Sequence, residues 1–199
     1  MTRQLMTTLA VLAALAGPAG AETPQLRPAD AVRVDGLDAA LGRAYRQAAA
    51  TGAPADIAAV ARALSGTDTG AGPQGLLGDW SCRTIKMGGL AGLVVYAPFR
   101  CRAVRTPDGG VMFEKLSGSQ RVRGRVFDGP GRTLLAGVGF IAGDTPPDYD
   151  ALPAQPDVQA GPQRLPAPGV VEITGPDRAR ILFPEPMVES VLDILELTR

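Results

Sequence analysis

Two periodicities divide the chain. Between Leu37 and Leu64 apolar residues recur at helical spacing: Leu37, Leu41 and Tyr45 with Ala40, Ala44 and Ala48 beside them, then Ile57, Val60, Ala61 and Leu64. The break Thr51-Gly52-Ala53-Pro54 separates the two runs, so a two-helix hairpin with its linker is predicted over 35–75. Its faces are thin and rich in alanine, which leaves packing against the rest of the chain as their source of stability. From Leu76 onward the period becomes two. Strands are predicted at 79–86, 94–105, 111–117, 120–128, 132–141, 170–174 and 178–183, followed at 188–197 by a short turn of helix leading into a closing strand. Turn signals such as Pro107-Asp108-Gly109-Gly110 and Asp128-Gly129-Pro130-Gly131 stand between them. Short links make an antiparallel meander. A mostly β chain of about eight such strands, over 76–199, closes most simply into an up-and-down barrel, which removes exposed edges. Were 188–197 all helix, seven strands would leave the sheet open.

Side-chain parity assigns the two faces. Trp80, Cys82 and Thr84 share one face, as do Val95, Ala97, Phe99, Cys101 and Ala103, and Val122, Gly124 and Val126. Arg83, Arg100, Arg102, Arg121, Arg123 and Arg125 fall opposite. Trp80, Phe99, Val122, Val126, Leu134, Val138 and Phe140 are therefore the candidate walls of a ligand cavity, with a self-filled core as the alternative. Small residues at Ala97, Ala103, Gly124, Ala136, Gly137 and Gly139 would leave room for a ligand. The arginines read as a solvated outer face: the whole chain carries 20 basic and 20 acidic residues, and no aromatic platform accompanies them. Neither a nucleic-acid footprint nor a polybasic membrane patch follows from that balance.

The N-terminus reads as an export signal. Arg3 precedes an apolar run over 5–16, and Ala19-Gly20-Ala21 offers the small residues of a signal-peptidase site, so removal after Ala21 is expected. That run is too short for a permanent span, and no stable membrane insertion is expected. Residues 22–34 form a polar lead with no compositional reason for order. The proline-rich stretch 143–169 is long for a compact domain, so it is either functional or loosely ordered; as a lid it would bring Asp148, Tyr149, Asp150 and Asp157 to a barrel mouth. Two motifs in the linker lack their context. Asp68-Thr69-Gly70 has no apolar strand leading into it, and Gly70-x-Gly72-x-x-Gly75 has no strand before it and no helix after it.

Cys82 and Cys101 are the only cysteines, both in predicted strands, and an oxidising compartment would join them; two buried free thiols are the alternative. With no histidine, no metal site or cofactor is expected, and no nucleophile stands with a base, so catalysis is the poorest fit.

The run Leu77-Gly78-Asp79-Trp80-Ser81-Cys82-Arg83-Thr84-Ile85-Lys86-Met87-Gly88-Gly89 resembles an exported proteobacterial domain of unknown function, number 4893. Phe99-Arg100-Cys101, Leu116-Ser117-Gly118-Ser119-Gln120-Arg121 and the terminal segment Glu189 to Leu197 carry the same resemblance. It implies export and a paired Cys82 and Cys101, and it brings no activity. Gly78-x-Trp80 at a strand entrance is similar to lipocalin-like barrels. The function expected is a non-catalytic exported binding protein, periplasmic or secreted, holding a small apolar ligand. The alternative is an envelope accessory or inhibitor that binds another envelope protein through its surface.

Overall fold

The computed structural model describes residues 24–159 and 163–199. The expected export signal at 1–21 lies outside them. Among the described residues three helices come first: α1 (Pro28–Asp35), α2 (Leu37–Thr51) and α3 (Pro54–Leu64). This corrects the expectation of a two-helix hairpin preceded by an unordered lead. Pro28 and Pro54 open their helices, where a missing N–H costs nothing and a fixed φ already suits the turn. Beyond the one buried apolar residue Val34, what orders α1 is polar, and so leaves no apolar period to read. Asp30 is buried, and its carboxylate accepts from Arg27 Nε at 3.1 Å, from Arg33 Nη1 at 3.0 Å and from the Tyr149 hydroxyl at 2.5 Å. A buried carboxylate is tolerable only when its oxygens are met in this way.

Nine strands follow: β1 (Gly78–Met87), β2 (Leu93–Val95), β3 (Phe99–Arg105), β4 (Val111–Lys115), β5 (Gln120–Gly129), β6 (Arg132–Ile141), β7 (Arg164–Gly175), β8 (Arg178–Pro184) and β9 (Leu192–Thr198). Each pairs antiparallel with its neighbours, and β1 also pairs with β9 from Ser81↔Thr198 to Met87↔Leu192, closing the sheet. The helix turn expected before the last strand is absent; the chain bends there instead, with Glu185 and Glu189 at positive φ.

β2 and β3 lie along the same side of β1. Ile85 pairs with Val95 and Cys82 with Phe99, a register slip of one residue taken up by Tyr96-Ala97-Pro98. They form one interrupted stave, so the barrel has eight. The single strand predicted at 94–105 breaks where Pro98 withholds an N–H. β7 departs the other way, starting at Arg164 although the prolines around it read as loop. Pro166 and Pro168 pair with Val138 and Ala136 of β6, while β8 pairs with β7 only from Val170 onward. The prolines face a side where no strand needs their hydrogens.

Inside the barrel, Trp80, Cys82, Cys101, Ala103, Phe113, Val122, Val126, Leu135, Ile181, Leu195 and Leu197 form one core. Outside, Val34 of α1, Ala44 and Ala48 of α2 and Val60 and Ala63 of α3 cover Ile85, Met87, Leu134, Val170, Leu182, Leu192 and Ile194. Alanine on the helix faces lets the backbones approach the sheet closely. The segment after β6 covers a third cluster, in which Tyr149 and Leu152 lie on Ala136 and Val138. The linker is likewise fastened: Thr69 N donates to Ile173 O at 2.8 Å and Ile173 N donates to Asp68 Oδ1 at 3.0 Å, occupying the end of β7. The Asp68-Thr69-Gly70 tripeptide thus finishes a sheet edge.

Candidate functional site

The two ends of the barrel differ. At one end the 3-10 turn Pro73–Leu76 places Leu76 in the core, and Trp80 Nε1 donates to Leu76 O at 2.7 Å. Arg199 lays its guanidinium 4.0 Å over the Trp80 ring and donates to Leu77 O at 2.8 Å and to Pro176 O. A cation over an indole, with its donors spent on carbonyls, makes a tight plug. Above this floor Cys82 and Cys101 are joined, Sγ to Sγ 2.01 Å and Cα to Cα 5.8 Å, on the inner faces of β1 and β3.

The other end is an open cavity of about 280 Å³. Its apolar wall includes Phe99, Val122, Ala167, Phe183 and Leu195, and Thr84 adds a hydroxyl. Lys86, Lys115, Arg121, Glu189 and Asp193 supply charge around the mouth. The size is near the lower end for small-molecule sites, and an apolar wall with a few polar groups is their usual composition.

The charges are unequally paired. Lys86 Nζ, on a residue only 5% exposed, lies 2.6 Å from Glu189 Oε2 and 3.8 Å from Asp193 Oδ2. Burial alone would lower the Lys86 pKa, yet these two carboxylates hold it above its ordinary value, while Lys86 pulls Glu189 below its own. Burial raises Asp193, whose Oδ1 accepts from Ser190 Oγ at 2.6 Å. Lys115 has no such company. It is 6% exposed, its Nζ donates to Gln120 O at 2.6 Å and sits 3.9 Å from the Phe99 ring centre, and no carboxylate among the described residues forms an ion pair with it. Burial, with the charges of Arg121 and Lys86 added, lowers its pKa to about 8. Arg121 donates Nε to Gly118 O and likewise has no carboxylate partner among the described residues.

A lateral gap opens where β7 runs on beyond the end of β8. Arg33 fills it from outside, donating to Pro166 O at 3.1 Å and Pro184 O at 3.4 Å while bound to Asp30. Burial lowers its pKa against the pull of Asp30.

Of the seven wall candidates, Trp80 lies at the plugged end, Val126 in the inner core, and Phe99 and Val122 on the cavity. Leu134 and Val138 face outward, under the helices and under Tyr149 respectively. Phe140 pairs with Arg121 on the outward phase of β6, and both nonetheless line the cavity. The inner residues of β6 are Leu135, Gly137 and Gly139, which pair with Val126, Gly124 and Val122. Asp148, Tyr149, Asp150 and Asp157 are not among the cavity walls, and Tyr149 instead holds α1. Residue pattern alone missed Lys86, Lys115 and Asp193. Their signal was parity: Lys86 shares the inward phase of Trp80 and Cys82, and Lys115 that of Val111 and Phe113.

No curated protein and no solved structure is similar enough to count as a match. Domain of unknown function (DUF4893) matches residues 23–197, which takes in all three helices and every stave of the barrel, and the chain belongs to that family.

Proposed function

We propose that this domain is a non-catalytic binding module, working outside the cytoplasm, that holds a small molecule with an apolar body in the open end of a lipocalin-like barrel. The observation that carries the reading is the asymmetry between the ends: one is plugged by Trp80 and Arg199, and the other keeps a cavity of about 280 Å³ with Phe99, Val122, Phe183 and Leu195 on its wall. A barrel serving only as a scaffold gains nothing from leaving that space unfilled, since empty volume costs stability. Export rests on the Arg3 to Ala21 pattern together with the disulfide, which reducing compartments disfavour.

Native mass spectrometry of the mature protein, purified gently from its own cell envelope, tests the reading. A reproducible additional mass released by denaturation is expected. A bare protein mass, joined to the absence of any thermal stabilisation across a library of small amphipathic compounds, would refute it.

A further inference from the structure

The charge at the cavity is lopsided in a way that bears on what fits there. Two carboxylates line it, Glu189 and Asp193, and both are engaged with Lys86. The Lys115 ammonium, nearly as buried as Lys86, has one carbonyl and one aromatic face for company, and Arg121 at the same mouth adds a second cation with no counter-charge among the described residues. Burying an ammonium without an anion is costly, and natural interiors retain such groups where a ligand or reaction uses them. Lys115 lines the same cavity as Phe99, Val122 and Phe183, and an ammonium has three hydrogens, of which Gln120 O takes one.

We infer that the ligand is a small organic acid, its carboxylate held by the Lys115 ammonium with Arg121 beside it and its apolar body against Phe99, Val122, Phe183 and Leu195. This rests on the binding function proposed above. The acid supplies the counter-charge that no side chain among the described residues provides, and a charge-assisted hydrogen bond in this sheltered place is stronger than one in water. Glu189 and Asp193 keep Lys86 occupied, so the acid is directed to Lys115. Because Lys115 titrates near pH 8, it is mainly charged at neutral pH and loses its hold on an acid as the medium becomes alkaline.

The test is calorimetric titration of the mature protein with octanoate and with 1-octanol, which share an apolar body and differ in charge. At pH 7 octanoate is expected to bind at least tenfold more tightly than octanol. Its affinity should fall progressively from pH 7 to pH 10 while that of octanol stays level. Lys115→Met, matched in length, should bind octanol as before and lose the preference for the acid. Equal affinities for the two probes, or a preference that survives both alkaline pH and Lys115→Met, would overturn the inference and leave the binding function standing. Failure of both probes to bind would overturn the inference, and the binding function would fall with it only if native mass spectrometry and the compound library were negative too. The wild-type pH series discriminates without any substitution, so a poorly folding variant does not remove the test.

Discussion

Reducing the Cys82–Cys101 bond is a perturbation whose cost can be worked out in advance. The two residues are 19 apart in sequence. In the chain-entropy description, opening a loop of about 20 residues returns about 11 cal/mol/K to the unfolded chain, or about 3 kcal/mol at 25 °C. The loop favours a value near this, because it contains Gly88, Gly89 and Gly92, all at positive φ, and its unfolded form is correspondingly free. The position favours it too: β1 and β3 pair directly only from Gly78↔Ala103 to Cys82↔Phe99, and the bond clamps the point where that ladder gives way. For a domain of this size each kcal/mol moves the melting temperature by about 2–4 °C, so reduction should lower it by about 6–12 °C. The double variant Cys82→Ala, Cys101→Ala should melt slightly lower still. Both sulfurs are buried in the core, and the space left by them costs on the order of 1 kcal/mol more. Calorimetric melts of both proteins, with and without reductant, measure this directly. If reductant moves the wild type by less than about 2 °C, or moves the double variant as much as the wild type, the reasoning is wrong.

Gly124→Ala and Gly139→Ala are a matched pair on the inner face. A Cβ at Gly124 would lie 2.2 Å from Ala136 O and 2.5 Å from Gly137 Cα, whereas one at Gly139 meets nothing closer than 3.6 Å. Urea titration should show the first losing about 1–3 kcal/mol and the second nearly unchanged. Tyr149→Phe removes a donor from the buried Asp30 carboxylate, and about 1–2 kcal/mol should be lost with the cavity untouched, as read by urea titration beside a ligand titration. Lys115 has a folded pKa of about 8 against an ordinary 10.5, so between pH 8 and 10 the unfolded chain holds a proton that the folded protein has released. Stability from this group therefore rises with pH through that window, and a melting series on Lys115→Met should be flatter than that of the wild type.

How much could be read from the sequence depended on whether a strand has one buried face or two. β5, with Val122 and Val126 inward and arginines outward, alternates, as does β1 through Trp80 and Cys82 before the helices cover Ile85 and Met87, and their boundaries and phase are legible. β6 runs Leu134-Leu135-Ala136-Gly137-Val138-Gly139-Phe140 because helices and the segment around Tyr149 cover its outer side, so nothing in the run distinguishes inward from outward. Leu134 and Val138 therefore look like wall residues in the sequence although they face outward. α1 buries one apolar side chain, Val34, beside the ion pairs around Asp30, too little for a helical period to show in the sequence. The prolines of β7 are strand residues only because β8 stops short, a fact of topology beyond the reach of local pattern. A lysine at a strand end reads as surface, so Lys115 becomes informative only when its inward phase is joined to the lack of an ion-pair partner among the described residues.

The pairing of β1 with β9 also dictates an order of assembly. A chain synthesised from its N-terminus delivers β1 first and β9 last, so β1 keeps one edge unpaired along Ser81 to Met87 until nearly the whole chain is available. Hairpins from β3 to β8 can form locally and early, but the ring closes only through partners more than a hundred positions apart, a slow kind of contact to make. Loss of the final stave would expose two edges at once, on β1 and on β8, and strip the lining from Leu195 and Leu197. A chain that stops before Leu192, and so lacks β9, is thus predicted to aggregate.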